Sequence, residues 1–198
     1  LISSNPCLTV LMPNVKVEST KKEIKFFTKS QLQSLFDYLD NQASPQWKMR
    51  LLRNLLPFLA STGLRIGEVC HLKYQDIERR NMRIHISHGK NRSDRYALLS
   101  KTALEILSQY WFAYDKPVDW LFPKQRDKSQ PIDTFYLSRH IHEHERRLGW
   151  PERITCHSFR HAFGTHLYEN GADLLTIQAY LGHKSLASTS IYVHLATN

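Results

Sequence analysis

Apolar residues return at helical intervals over most of the chain. Leu32, Leu35, Phe36 and Leu39 form one stripe, and Thr28-Lys-Ser-Gln31 just ahead of it has the pattern of a capping box. Leucines crowd a second helix over about residues 46–61, broken near Gly63. Pro57 inside it predicts a kink or a fresh helix start, because proline has no N–H to give and its ring meets the carbonyl four residues back. Residues 65–72 read as another short helix. The period then shortens: 76–86 and 94–99 alternate as strands do, with a turn containing Gly89 between them. Helical spacing resumes at 101–114. Trp120-Leu-Phe-Pro123 is a short apolar piece before a charged loop, and 133–148 is a long amphipathic helix.

The last forty or so residues carry polar residues beside this apolar pattern. Phe159, Phe163 and Leu167 recur at i, i+4 and i+8 as a packing stripe, while His157, Arg160, His161 and Gly164 share a neighbouring face. Gly171 after Asn170 ends that helix, and Asp173 caps a second one carrying Leu174, Leu175, Ile177 and Ala179. Gly182 closes the second helix and leaves His183 at its exit. Ser185 opens a last short helix, in which Tyr192 follows His183 by nine positions. Helices around a small antiparallel sheet make the expected class mainly α with an α+β layout.

At 198 residues the chain suffices for one well-packed domain. Its 27 Lys and Arg against 18 Asp and Glu give a net charge of +9, which points to a polyanion, nucleic acid first, or else to a solvated basic surface. The 3 cysteines, Cys7, Cys70 and Cys156, lack CxxC spacing and suggest neither a disulfide framework nor a zinc finger. No apolar run reaches the ~18 residues of a membrane span, so a cytoplasmic location without membrane attachment is the default expectation. Residues 1–26 have no sustained period and read as a linker, and the start at Leu1 rather than Met suggests a segment removed from its front.

Several residue types suit phosphate chemistry. Arg65 stands just after the break at Gly63, and Arg160 lies on the polar face of the tail helix; a guanidinium is always charged and binds two phosphate oxygens at once. Taken alone, Arg65 is as well explained by a surface ion pair. Glu68, three residues on, either orients that guanidinium or forms an ordinary helix ion pair. Neutral imidazoles at His157 and His183 can accept a proton and protonated ones can donate; buried, hydrogen-bonded histidines are the alternative. Tyr192 is either a nucleophile or a packed aromatic between Ile191 and Val193. His140, His142 and His144 alternate, and the first and last fall on one face as a zinc pair would. Without an HExxH pattern, a solvated polar face is the preferred reading, with no metal site.

Thr62-Gly-Leu-Arg65-Ile-Gly-Glu68, the Gly89-Lys90 turn, and the tail from His157-Ser-Phe-Arg160-His161 through Leu181-Gly-His183 to Tyr192 occur in one order. Over roughly residues 27–196 this resembles the tyrosine recombinases, the phage integrases and Xer-type recombinases. The resemblance implies a catalytic domain over 27–198 whose N-terminal DNA-clamping domain is absent. It implies that Arg65 and Arg160 hold the scissile phosphate with His157 and His183, and that Tyr192 attacks to form a 3′-phosphotyrosyl link. Lys90 then protonates the departing 5′ oxygen; Arg92 and Arg95 are nearby alternatives for that task or for positioning DNA. His161 and Glu68 take supporting roles. No cofactor is implied, double-stranded DNA is the partner, and four protomers act together on DNA, with this fragment a monomer in solution. Two other classes compete: a DNA-binding module that kept the fold and lost the chemistry, and a metal-dependent nuclease using the histidine cluster.

Overall fold

A computed structural model describes residues 25–42, 46–87, 94–114, 116, 119–150 and 155–197. Most of the linker expected at 1–26, and the expected turn residues Gly89, Lys90 and Arg92, lie outside these. Eight helices are described: α1 (Lys29–Asn41), α2 (Trp47–Thr62), α3 (Ile66–Cys70), α4 (Lys101–Ala113), α5 (Thr134–Arg147), α6 (Cys156–Glu169), α7 (Leu174–Leu181) and α8 (Ile191–Thr197). Strands β1 (Ile77–Glu78), β2 (Arg83–Ile86) and β3 (Arg95–Leu98) form one antiparallel sheet in the order β1-β2-β3. The mainly helical α+β layout is as the periodicity foretells. Among the described residues no helix is long and apolar enough to cross a membrane.

Helix α2 runs through the core, packed against α1, α4 and α6. Leu51, Leu52, Leu55, Leu56, Phe58 and Leu59 are fully buried on it. At roughly 1.5–3 kcal/mol for each such side chain, this burial outweighs the ~3 kcal/mol that an interior proline costs. Pro57 therefore sits inside one continuous helix instead of dividing it. The helix stops at Gly63, whose φ of 62° lies in the left-handed region and lets its N–H reach Leu59 O at 3.1 Å.

Two expectations change in detail. The alternating stretch at 76–86 is two strands rather than one, parted by a 3-10 turn at Arg79–Asn81 and by Met82 at φ 49°. On α5 the polar face is not solvated: His140, His144 and Glu145 are buried, with His144 edge-on to Tyr38 of α1. His140 and His142 pair through Nδ1 with Glu143 at 3.0 Å and Glu145 at 2.6 Å. Among the described residues no group of three or more His, Cys, Asp and Glu side chains is placed to hold a metal. A second, smaller core gathers Ile177, Leu181 and Tyr192, with Phe163 and Leu167 against it, so the chain's tail packs on α6.

Candidate active site

The site begins where α2 ends. After Gly63 the chain turns, and Arg65, extended at φ −70° and ψ 143°, precedes α3. Its backbone N–H donates to Glu68 Oε2 at 2.8 Å and its Nη1 to Oε1 at 2.9 Å. Arg95, the first residue of β3, donates Nη2 to the same two oxygens at 3.0 and 2.9 Å. Burial alone would push the Glu68 carboxyl up. Arg95 and Arg65 together outweigh that and hold it below the usual carboxylate range, so it stays an anion between two guanidinium groups.

Arg160 enters from the first turns of α6. It is 4% exposed, and it donates Nη1 to Gly63 O at 2.8 Å and Nη2 to Leu181 O at 2.6 Å. Those carbonyls close α2 and α7, so the guanidinium meets the negative ends of two helices. Burial, then the nearby Arg65, pulls its pKa down to about 10, which leaves it charged at neutral pH.

His183 follows Gly182, the left-handed cap of α7 at φ 65°. Its N–H reaches Gln178 O at 3.1 Å, and its Nδ1 pairs with Thr189 Oγ1 at 2.9 Å, which fixes the ring and leaves Nε2 for the site. Burial first, then Arg160, Arg65, His161 and Arg95, brings its pKa down to about 4. His161 is likewise held at about 4, by burial, His157 and Arg160. Burial also lowers His157, with Arg160 and Arg65 adding to it. The imidazoles of His161 and His183 are therefore neutral at pH 7 and able to accept a proton.

Tyr192, on α8, lies on these groups. Its ring stacks with His183 at 6.2 Å and 10° and stands 6.1 Å from His161. It rests on Gly164 of α6, where a Cβ would come 2.5 Å from the phenol Cζ. Burial lifts the phenol pKa to about 12 against the pull of Arg160 and Arg65, so the group is protonated at rest.

The fold thus brings Arg65, Glu68, His157, Arg160, His161, His183 and Tyr192 to one place, and Arg95 with them. Lys90 and Arg92 lie outside the described residues. Arg95 is half of an internal ion pair, where the sequence reading has it facing DNA. Thr189, fully buried, went unread in the sequence; its i, i+3 spacing to Tyr192 was the available signal. The helix-end carbonyls that hold Arg160 have no sequence signature. A phenol, two fixed guanidinium groups and neutral imidazoles suit nucleophilic attack on a phosphodiester, with protons passed between side chains.

The sequence profile of the phage integrase family matches residues 25–198. The chain is 45% identical over 140 residues to the y4eF protein of Sinorhizobium fredii, an alignment covering 70% of this chain and 54% of that one. It is 31% identical over 204 residues to the tyrosine recombinase XerC of Bacillus licheniformis, covering 99% of this chain and 64% of XerC. The chain therefore spans between half and two thirds of the length of these relatives. Among solved structures, the XerA recombinase superposes with a TM-score of 0.74 at 28% identity, over 87% of this chain and 60% of XerA. XerH, a site-specific recombinase bound to its difH substrate before cleavage, gives 0.74 at 26% identity, over 86% and 50%. Sequence and fold agree along nearly the whole described chain, and the protein belongs to the phage integrase family, the tyrosine recombinases.

Proposed function

We propose that this chain is the catalytic domain of a site-specific DNA recombinase that cuts and rejoins duplex DNA through a 3′-phosphotyrosyl intermediate on Tyr192. The observation that carries it is the packing of the Tyr192 ring against His183 and Gly164 within the field of Arg160 and Arg65 of the same chain.

In this reading the Tyr192 phenol attacks a backbone phosphorus, its Oη–P bond forms as the P–O5′ bond breaks, and its proton passes to a neutral imidazole, His183 or His161. Lys90 returns a proton to the 5′ oxygen. One phosphodiester is exchanged for another, so the reverse step rejoins DNA without external energy. Arg65 and Arg160 stabilise the charge that grows on the phosphate, with His157 beside them. A bound phosphate also offsets the cations that depress the histidines, which raises their affinity for the phenol proton when it must be moved. The tyrosine serves its own chain's site. The net charge of +9 suits duplex DNA, and assembly of four protomers on DNA is assigned to the protein at its relatives' full length.

The 1% exposure of Tyr192 favours a second reading, a DNA-binding module without chemistry. Covalent capture separates the two. The protein, extended to its relatives' full length, is incubated with nicked duplex carrying the junction sequence that flanks its own gene, in the presence of a chelator. A denaturant-resistant protein–DNA adduct that vanishes in Tyr192→Phe is expected. Binding with no adduct and no cleavage would favour the module, and cleavage without an adduct that occurs only when the chelator is omitted would favour a metal nuclease.

A further inference from the structure

Among the described residues of the site, Arg95 is a cation that the chemistry above does not use. Its side chain is 15% exposed, and its Nη2 is given to both oxygens of Glu68. Its other side lies under the turn that ends α7: a Cβ on Gly182 would run into Arg95 Nε and Cδ and come 2.9 Å from Cζ. Arg95 Nε and Nη1 are buried with no hydrogen-bond partner. Each unmet donor costs about 1–3 kcal/mol. The ion pair with Glu68 accounts for Nη2 alone, so the two unmet donors held against the Gly182 turn need another reason.

We propose that Arg95 is a positioning residue that joins the β2–β3 hairpin to both halves of the active site, fixing the Glu68–Arg65 pair on one side and the Gly182–His183 turn on the other. Strand β3 then sets the place of Arg65 and His183 together. A guanidinium does this because Nη2 holds the carboxylate while Cδ, Nε and Cζ lie against Gly182; an ammonium can bridge the carboxylate but has no extended plane to fill the space at the turn. The catalytic consequence rests on the recombinase reading, but the geometry does not.

The test compares Arg95→Met, Arg95→Lys, Glu68→Gln and the Arg95→Met/Glu68→Gln pair by three measurements. In DNA-free protein, the His183 ring titration and the Gly182 and His183 amide resonances are followed by NMR. The charged and polar groups facing that ring are Arg160, Arg65, His161, Arg95 and Thr189, with Tyr192 stacked on it. Removing one cation raises the His183 midpoint in Arg95→Met, while Arg95→Lys keeps it near the parent value. Single-turnover cleavage falls on the order of 10- to 100-fold in both variants, duplex affinity stays within about twofold, and Glu68→Gln adds no further loss to Arg95→Met. Gly182 and His183 amide resonances that stay in place in Arg95→Lys, where the charge is kept, overturn the proposal. So does a weakened affinity whose salt slope drops by about one unit, which would make Arg95 a phosphate contact. If the parent does not cleave but those amide resonances move in Arg95→Lys, the recombinase reading fails and the positioning role stands. Arg95→Lys carries the cleavage comparison should Arg95→Met fail to fold.

Discussion

Arg160 holds a full positive charge at 4% exposure by giving its terminal nitrogens to Gly63 O and Leu181 O. In the proposed reaction it therefore acts on the phosphate as well as on the fold. Lysine keeps the charge but cannot reach two carbonyls in opposite directions from one plane. Arg160→Lys is expected to lose about 2 kcal/mol of stability in urea denaturation, and to slow adduct formation on the order of 100-fold or more. A destabilised Arg160→Lys that still forms the adduct at the parent rate when folded would make the residue structural alone. The neighbouring histidines behave differently because their charge is optional: burial and nearby cations keep His161 and His183 neutral at pH 7.

At the level of elements, the ends of α2 and α7 meet at Arg160, and the ring carried by α8 lies on α6. Two glycines in helices test this arrangement in opposite directions. Gly164→Ala gains up to about 1 kcal/mol of helix propensity, but its Cβ would sit 2.5 Å from the Tyr192 ring, so the net effect is a loss of about 1–2 kcal/mol. Gly67→Ala meets nothing within 4 Å and should gain about 0.5–1 kcal/mol. Thermal unfolding of the pair checks both signs, and a stabilised Gly164→Ala would remove the ring from its place on α6. Most of this organisation was legible as periodicity and caps: Thr28, Asp133, Asp173 and Gly182 stand where the helices start or stop. Pro57 starts no new helix because tertiary burial outweighs a local rule. The α5 histidines misled because polar residues at a helical spacing do not announce that Tyr38 of α1 packs on His144. Of the site, the residues spoke through their motifs. Their connections did not, since the Arg95–Glu68 pair and the carbonyls at Arg160 join positions far apart in sequence.

Over the whole molecule, acid should be the weak side. His144, His161 and His183 bind a proton at about 4 in the folded chain, against ~6.5 unfolded. Between those values the unfolded state holds more protons, so lowering pH favours unfolding, and the stability these neutral histidines contribute is complete above about 6.5. Stability is expected to be level from pH 7 to 8 and to fall progressively from about 6.5 towards 4. His144→Leu, which removes a buried ring with both nitrogens unpaired, should flatten that slope; a slope unchanged in the variant would contradict the assignment. The same basic chain presents one reactive phenol inside its own site, and this is the central claim. Its most direct test is mass spectrometry of the nuclease-trimmed adduct. The account predicts a nucleotide joined through phosphate to Tyr192. A nucleotide on any other residue, or an adduct that still forms in Tyr192→Phe, would contradict it.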